Sequence, residues 1–408
     1  MKKNIVMYGS FIEYNLGLPS LLHGAEELFC KIFGEDNVNF VYYESNKLGG
    51  KILGDFKSKI KYIPFDNTKK MLFDAVKYKL TKRCSKQQED FFYDLKAADY
   101  IVDIYGIYFC SKIEKENMSD FKAKYSAVMT FTIPFIGKWF SKKVKTIKTA
   151  ASYGPFNAKG LNKKAQFAIN NIFDLVFSRE EQSARALFDN CKIKKNIPIT
   201  PDLANLMKYK KTEYGVNKQI VIAVSHQIET QWKENGNYKE YILSLLNHIN
   251  EKLPEHKIVL IPNETSPLKK YNDISVAQGI KAMADLGDKL TVLSNPDFDA
   301  AEIKSEIAKS DAVISARYHT CVAALSAAIP TLVMGWHYKY DELLELYGEK
   351  ERIVSDAAEA EAALTKKFDE LWASKEVIRS KLLNSADIVA EKIYTSYKTA
   401  FTDHGDNI

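Results

Sequence analysis

The 408-residue sequence contains few cysteines, few prolines, no biased tract and no long apolar run. Its five cysteines lie far apart, without a CxxC motif or a Cys/His cluster, which argues against a disulfide framework and a structural zinc site. No segment reaches the roughly 18 to 20 apolar residues that span a bilayer, and the N-terminal apolar run resembles a first β-strand more than a signal peptide. These absences predict a globular protein of the reducing cytoplasm.

Common catalytic and nucleic-acid-binding signatures are also missing. The sequence contains no GxGxxG, GxxxxGK[ST], GxSxG or HExxH motif, which argues against dinucleotide oxidoreduction, P-loop phosphoryl transfer, α/β-hydrolase chemistry and zincin proteolysis. Residues 1–200 carry 33 basic and 21 acidic residues, whereas residues 201–408 carry 25 and 31. The lysines of the basic half are dispersed among acids, so a solvated face is favoured over a nucleic-acid site, and anionic lipid or substrate remains an alternative.

One apolar segment, 125–140, is flanked by lysines on both sides. A buried helix with solvated lysines is the favoured interpretation. The alternative is peripheral association with an anionic membrane, where apolar insertion and basic side chains act together at the inner face.

Short apolar runs alternate with helical patterns along the chain, which is typical of parallel strands joined by crossover helices. We predict an α/β protein with two Rossmann-like domains, residues 1–205 and 206–372, that face a cleft. A C-terminal helix and tail, residues 373–408, are expected to return toward the first domain. The predicted strands are 4–9, 38–43, 60–65, 100–105, 146–152, 174–178, 219–225, 257–262, 290–294, 312–315 and 331–334. A ligand is expected in the cleft, at the carboxyl ends of both sheets.

Basic residues follow two strands of the predicted second sheet. Arg317 and His319 come after strand 312–315 and, in an extended chain, project to the same side. His337 and Lys339 come after strand 331–334, at the same edge. Arginine offers a fork of donors to phosphate or carboxylate, and histidine exchanges protons near neutral pH. We therefore predict an anion site at this edge.

The first domain contributes candidates from two loops. Ser178 and Glu181 match a capping box, which would place Arg179 at the start of a helix on the cleft edge, although an Arg paired with neighbouring glutamates is an equal alternative. Asp202 either caps the next helix or takes part in chemistry. Asn15 of the first loop and His226 of the second domain are candidate substrate contacts, or hydrogen-bond their own loops.

Residues 311–348 resemble the signature of the polysaccharide pyruvyl transferase family. Ser315, Arg317 and His319 form its S-x-R-x-H segment, followed by Pro330 and by Lys339, twenty residues after the histidine. Residues 14–29 resemble its Asn-x-Gly loop and helix, 152–156 its Gly-Pro-Phe turn, and FSREEQS with TPD its central motifs. The resemblance covers nearly the whole chain.

The resemblance implies a fold like that of GT-B glycosyltransferases, no metal or other cofactor, and phosphoenolpyruvate as the donor. Pyruvate would be transferred as a ketal to a sugar of a cell-surface polysaccharide or its lipid-linked precursor. Arg317, His319 and Lys339 would be catalytic, and Arg179, Asn15, His226 and His337 would bind substrate. The alternatives are a nucleotide-sugar GT-B glycosyltransferase and a non-catalytic carbohydrate-binding member.

Two departures from the family pattern concern the first domain, where we expect the acceptor. Leu18 and Pro19 follow Gly17 where the family commonly has an acid, and Tyr105-Gly106 replaces the usual Gly-Gly after the fourth strand. These changes bear on the sugar more than on the donor.

Overall fold

The computed structural model describes residues 2–10, 12–15, 17–45, 54–111, 114, 117–210, 213–232, 237–265, 272–293, 299–335, 337–355 and 360–405. Within these residues two all-parallel β-sheets are joined by crossover helices. This is the predicted α/β architecture of two Rossmann-like domains.

The first sheet is formed by β1 (Lys3–Tyr8), β2 (Val38–Glu44), β3 (Lys59–Tyr62), β4 (Tyr100–Asp103), β5 (Ile107–Tyr108), β6 (Lys145–Tyr153) and β7 (Leu175–Ser178). Its order is β3-β2-β1-β4-β6, and both β5 and β7 pair with β6. All four residues of β4 and of β7 are buried, as expected for parallel strands covered on both faces.

The second sheet is formed by β8 (Gln219–Ala223), β9 (Lys257–Ile261), β10 (Leu290–Val292), β11 (Ala312–Ser315), β12 (Thr331–Met334) and β13 (Ile353–Val354). Its order is β10-β9-β8-β11-β12-β13. The two sheets lie within residues 3–178 and 219–354, and the predicted domain boundaries, at 205 and 372, remain predictions.

The helices are α1 (Pro19–Phe33), α2 (Thr68–Thr81), α3 (Lys86–Ala97), α4 (Asp120–Thr130), α5 (Thr132–Phe140), α6 (Leu161–Phe167), α7 (Glu181–Cys191), α8 (His226–Gln231), α9 (Tyr238–Lys252), α10 (Asp273–Met283), α11 (Ala300–Ala308), α12 (Tyr318–Ser326), α13 (Lys339–Tyr347), α14 (Ala360–Ala373) and α15 (Lys375–Asp403). Short 3-10 turns lie at Glu35–Asn37, Leu203–Leu206 and Gly287–Lys289, and a π turn lies at Ala168–Ile172.

The sequence patterns missed two strands and overextended others. The short strands β5 and β13 have two residues each, too few to show a period. The third predicted strand was drawn too long: β3 ends at Tyr62, before Pro64, which cannot donate to a ladder. Residue 294, the end of another predicted strand, lies outside the described residues.

The segment that joins the sheets is buried in its first part. Leu203, Ala204 and Leu206 belong to one hydrophobic cluster that contains residues of both sheets and of α15. The residues directly before α1 and within it approach this segment closely: a Cβ on Gly24 would collide with the carbonyl group of Leu203. The segment is therefore part of the core at the domain junction.

The long C-terminal helix α15 returns to the first domain, as predicted. The Tyr397 hydroxyl accepts a hydrogen bond from the Ala150 N–H of β6 at 3.0 Å. The Phe401 ring packs against Phe29 of α1 and Tyr100 of β4, with ring centroids 5.9 and 5.6 Å apart. Helix α15 thus closes the core under the first sheet.

The apolar segment 125–140 forms the end of α4 and all of α5. Its central side chains, among them Phe131, Ile133 and Ile136, are buried, which agrees with the interpretation as a buried helix. No helix in the described part of the chain is long and apolar enough to cross a membrane.

The close contact at Gly24 predicts opposite effects for one substitution at two helical positions. We expect Gly24→Ala to lower the free energy of unfolding by about 1 to 3 kcal/mol, because the added methyl group meets a backbone carbonyl that cannot move freely. Gly279→Ala in α10 meets only the flexible end of Lys239, 3.3 Å away. It should raise stability by about 0.5 to 1 kcal/mol through helix propensity. Urea denaturation measures both, and equal effects would contradict the proposed contact.

Candidate active site

Asp273 organises the loops at the carboxyl end of the second sheet. It is fully buried at the start of α10. Its carboxylate accepts hydrogen bonds from the backbone N–H groups of His226 at 2.9 Å, Asn263 at 3.1 Å and Glu264 at 3.0 Å, and from the Arg317 guanidinium. A buried carboxylate requires such partners. Asp273 therefore connects the loops that follow β8, β9 and β11.

Arg317 lies directly after β11, as predicted. Its guanidinium contacts Asp273 and lies 3.6 Å from the Glu264 carboxylate. The buried Nε has no hydrogen-bond partner among the described residues. Arg317 is therefore held by two carboxylates of the same domain and keeps one donor unused.

The extended-chain argument that joined Arg317 to His319 is wrong. Arg317 has extended backbone angles, φ −118° and ψ 124°, but α12 begins at the next residue, Tyr318. His319 therefore lies in the first helical turn, because the chain changes from strand to helix within two residues. Its orientation is set by helix geometry and by Gly17, as described below.

Arg179 lies directly after β7, but the predicted capping box is wrong. Ser178 is still bonded within the sheet: its N–H donates to the Pro198 carbonyl and its own carbonyl accepts from Thr200. Because its backbone belongs to the strand, Ser178 cannot cap the helix. Its hydroxyl donates to the Glu180 carbonyl at 2.8 Å, and α7 begins at Glu181.

The Arg179 guanidinium is buried and fully engaged by acids. Its Nη1 donates to the Asp202 carboxylate at 2.6 Å, and its Nε donates to Glu180 at 2.7 Å. Asp202 also accepts from the Ala204 N–H at 2.9 Å, so it both caps the 3-10 turn and neutralises Arg179. The pairing of Arg179 with its neighbour Glu180, the alternative interpretation, is therefore observed, but the pair is buried rather than on the surface, since Arg179 is only 8% exposed.

Tyr318 connects cations that come from both domains. The Arg179 guanidinium lies 4.2 Å from the centre of its ring, and the Lys339 ammonium lies 5.2 Å from it. An aromatic face attracts such cations, most strongly where water is excluded. Tyr318 could not be recognised as a site residue from the sequence, because an aromatic residue at the start of a helix has the same local pattern as an ordinary core residue.

His319 is enclosed between the two domains. A Cβ on Gly17 of the first domain would lie 2.8 Å from the His319 Cβ and 2.8 Å from the Asn263 side-chain oxygen. The His319 Nε2 is buried and has no hydrogen-bond partner among the described residues. Burial lowers the pKa of its imidazole to about 4. The charge of Asp202 opposes this shift, and the charges of Arg179 and Lys339 add to it. His319 is therefore neutral at pH 7 in the free protein.

Lys339 begins α13 and lies near the same groups. Burial, together with the charges of Arg179 and Arg317, lowers the pKa of its ammonium to about 7. His337 precedes it, and the His337 Nδ1 accepts from the Lys339 N–H at 3.3 Å. Both residues thus lie at the edge of the second sheet where they were predicted.

Asn15 holds its own loop and places it against the second domain. Its side-chain oxygen accepts from the N–H groups of Gly17 at 2.9 Å and Leu18 at 2.8 Å. Asn15 also forms an antiparallel bridge with Glu264, and the Thr265 N–H donates to the Tyr14 carbonyl at 2.8 Å. The Asn-x-Gly loop therefore brings the two domains together beside Arg317.

His226 begins α8, and its backbone rather than its ring contacts Asp273. The N–H binds Asp273, while the Nδ1 lies 3.4 Å from Glu229 one turn later. The imidazole thus contacts its own helix, and substrate binding by His226 stays a prediction.

A cavity of about 750 Å³ adjoins Arg179 where the two domains meet. Arg179, Asp202 and Tyr318 line one side, and Glu342 and Leu343 of α13 line another. The Glu342 carboxylate accepts from the Glu181 N–H at 2.9 Å, so the cavity lies where α7 of the first domain meets α13 of the second.

The arrangement combines oriented cations with one neutral histidine. Arg179 is buried, and Arg317 and Lys339 are partly buried. Arg179 and Lys339 lie over the Tyr318 ring, and Arg317 is near enough to Lys339 to lower the pKa of its ammonium. The described residues contain no group of three His, Cys, Asp or Glu side chains that could hold a metal ion. The site is therefore suited to hold an anion and to exchange a proton.

The two parallel-sheet domains and the cleft between them define a protein with a GT-B-like fold. The UDP-GlcNAc 2-epimerase from Neisseria meningitidis superposes with a TM-score of 0.61 at 12% identity, over 99% of this chain and 100% of that one. The HepE protein of Anabaena, solved with UDP-glucose, gives 0.53 at 11% identity, over 98% of each chain. At such identities the likeness shows the fold alone.

The sequence model of the polysaccharide pyruvyl transferase family matches residues 29–338, which is most of the chain. The protein belongs to this family. No curated protein sequence gives a significant match.

The lowered pKa of Lys339 predicts how anion binding depends on pH. A bound anion stabilises the ammonium and raises its pKa above the free value of about 7, so binding takes up a proton. Affinity for sulfate, which does not titrate near or above neutral pH, should therefore decline as the pH rises above about 7. Calorimetric titration measures the decline.

The matched control is Lys339→Arg, which stays charged over this range and should bind sulfate independently of pH. A wild-type affinity that did not change with pH would contradict the assignment of Lys339 as an anion-binding group.

Proposed function

We propose that the protein transfers pyruvate from phosphoenolpyruvate, as a ketal, to two hydroxyls of a sugar in a cell-surface polysaccharide or its lipid-linked precursor. Membership of the polysaccharide pyruvyl transferase family supports the reaction class. The observation that carries the donor assignment is that the Arg179 guanidinium and the Lys339 ammonium lie over the Tyr318 ring, next to a His319 whose buried Nε2 has no hydrogen-bond partner among the described residues.

The donor carries a phosphate and a carboxylate, and the site offers cations for both. The Lys339 ammonium lies 5.2 Å from the centre of the Tyr318 ring, and Arg317 keeps an unused Nε. Because Arg179 and Arg317 are held by Asp202 and Asp273, they are oriented before the donor arrives, and little conformational entropy is lost on binding.

The reaction begins with a proton transferred from His319 to the methylene carbon of the donor. The enol carbon becomes an oxocarbenium-like centre, which one sugar hydroxyl attacks, and the proton of that hydroxyl returns to the His319 imidazole. The phosphate then leaves with the electrons of its C–O bond and takes up the proton of the second hydroxyl, which attacks the same carbon to close the ketal. The products are the ketal and inorganic phosphate, and the scheme requires neither a metal nor a cofactor.

The low pKa of His319 sets a condition on this scheme. The free protein holds the imidazole neutral, with a pKa of about 4. A bound donor brings several negative charges next to the ring, and nearby negative charge raises the pKa of an imidazole. Donor binding itself would therefore charge His319, so that the acid forms only when its substrate is present.

The acceptor is assigned to the first-domain side of the cleft. Tyr105 lies there, within electrostatic reach of Glu264 across the cleft. Leu18 and Pro19, the other departures from the family pattern, lie at the start of α1, where a proline at the first helical position is favourable. These side chains would shape the space available to the sugar.

We expect phosphoenolpyruvate to bind saturably in calorimetric titration, and nucleotide sugars not to bind. Arg317→Lys should weaken phosphoenolpyruvate binding about tenfold or more, because it removes the guanidinium donors. This variant keeps the positive charge that the buried Asp273 requires, so it is better suited to the test than an alanine.

A second variant, His319→Ala, tests the proton-transfer step separately from donor binding. It should still bind phosphoenolpyruvate but release no phosphate when sugar acceptors are added, because the proton donor is lost. Binding of a nucleotide sugar alone would favour a GT-B glycosyltransferase, and normal turnover by both variants would overturn the site assignment.

A further inference from the structure

Three helices of the first domain share an exposed apolar surface. Phe73, Val76 and Leu80 project from α2, Phe121 and Tyr125 from α4, and Trp139 from α5. These are six of the fifteen large apolar side chains that are exposed in the described part of the chain, so they are concentrated rather than scattered. We call these six side chains the helical face.

The spacing within α2 explains why one side of the helix is apolar and exposed. Met71 and Ala75 are buried against the first domain. Phe73, Val76 and Leu80 follow at intervals of three and four residues and lie on the opposite side. Phe73 is 69% exposed and Leu80 is 79% exposed, so no part of the described chain covers them.

Contacts at both ends of α2 place this helix beside α4 and α5. Near its start, the Thr68 hydroxyl lies 3.9 Å from the Met129 sulfur of α4. Phe121 and Tyr125 precede Met129 at intervals of four residues and therefore lie along the same side of α4. Near the other end, the Lys79 ammonium lies 4.1 Å from the centre of the Trp139 ring.

The surroundings of the helical face are strongly basic. Residues 66–83 and 119–143 together contain eleven basic and three acidic residues. Two of the three acids have partners: Asp66 binds Lys70, and Asp74 accepts from the Gln88 side chain. The positive charge around the exposed apolar side chains is thus largely uncompensated.

We propose that the helical face binds the surface of an anionic lipid bilayer. Bulky apolar side chains beside lysines suit the boundary between acyl chains and charged headgroups, where apolar insertion and electrostatic attraction add. A nucleic acid or an acidic protein would use the lysines but would gain little from Phe73, Leu80 and Phe121. The face would hold the enzyme where lipid-linked sugars are found.

The inference does not rest on the donor chemistry, because no residue of the helical face belongs to the candidate active site. Vesicle binding therefore tests it separately from phosphoenolpyruvate binding, and either proposal can fail while the other stands.

Co-sedimentation with vesicles tests the proposal directly. The full chain should bind vesicles of phosphatidylcholine mixed with phosphatidylglycerol, should bind pure phosphatidylcholine at least about tenfold more weakly, and should be released at about 1 M salt, where charges are screened beyond about 3 Å. Absence of binding to the anionic vesicles, or equal binding to both compositions, would overturn it.

Two sets of substitutions locate the surface. Phe73→Ser with Leu80→Ser and Phe121→Ser should reduce binding about tenfold or more, because apolar insertion is lost. Lys69→Glu with Lys77→Glu should reduce binding to anionic vesicles by reversing charge. The matched control, Leu383→Ser with Ile388→Ser on α15, removes exposed apolar groups of another surface and should bind like the wild type.

Each remaining outcome counts against the proposal. Wild-type binding by the triple serine variant would show that another surface contacts lipid. A shift of the oligomeric state in this variant, measured by sedimentation velocity, together with unchanged vesicle binding would show that the helical face joins two copies of the chain.

Discussion

The buried ion pair between Arg179 and Asp202 is the interaction on which the domain junction depends. A guanidinium without water is stable only beside a carboxylate, so the end of β7 and the segment before the 3-10 turn must meet. The stacking of Arg179 on Tyr318 then extends this connection into the second domain. At this side of the cleft, Arg179 of the first domain and Lys339 of the second therefore lie over the same aromatic ring.

A second ion pair, Arg317 with the buried Asp273, lies within the second domain, where Asp273 connects the loops that follow β8, β9 and β11. Both arginines are neutralised by acids of their own domain, whereas Lys339 and His319 lose much of their affinity for protons through burial. The side chains of the site are therefore held in place before a ligand binds, but their net positive charge is small until an anionic ligand promotes protonation of Lys339 and His319. This arrangement fits an enzyme whose acid should act only on a bound anionic donor.

Much of the architecture follows from local pattern. The alternation of apolar runs and helical spacing predicts two parallel sheets, and the long pattern at the C-terminus predicts α15, because burial on both faces and helical periodicity leave clear marks in a sequence. Arg317, His319 and Lys339 could be named from their positions after strands. Asp273 could not: a helix-starting acid looks the same whether it binds solvent or organises three loops. The capping box at Ser178 is wrong because α7 begins only at Glu181, so that Glu180 precedes the helix, and the Ser178 hydroxyl donates to the Glu180 carbonyl instead.

The sequence alone determined the fold class, the family and the identity of the basic residues at the sheet edges, since each depends on neighbours a few positions apart. Only the tertiary structure decided which carboxylate holds which arginine, that His319 is neutral beside Gly17, and that α2 leaves Phe73 and Leu80 uncovered. These properties depend on burial and on distances between residues far apart in the chain, and a pattern of local spacing carries no information about either.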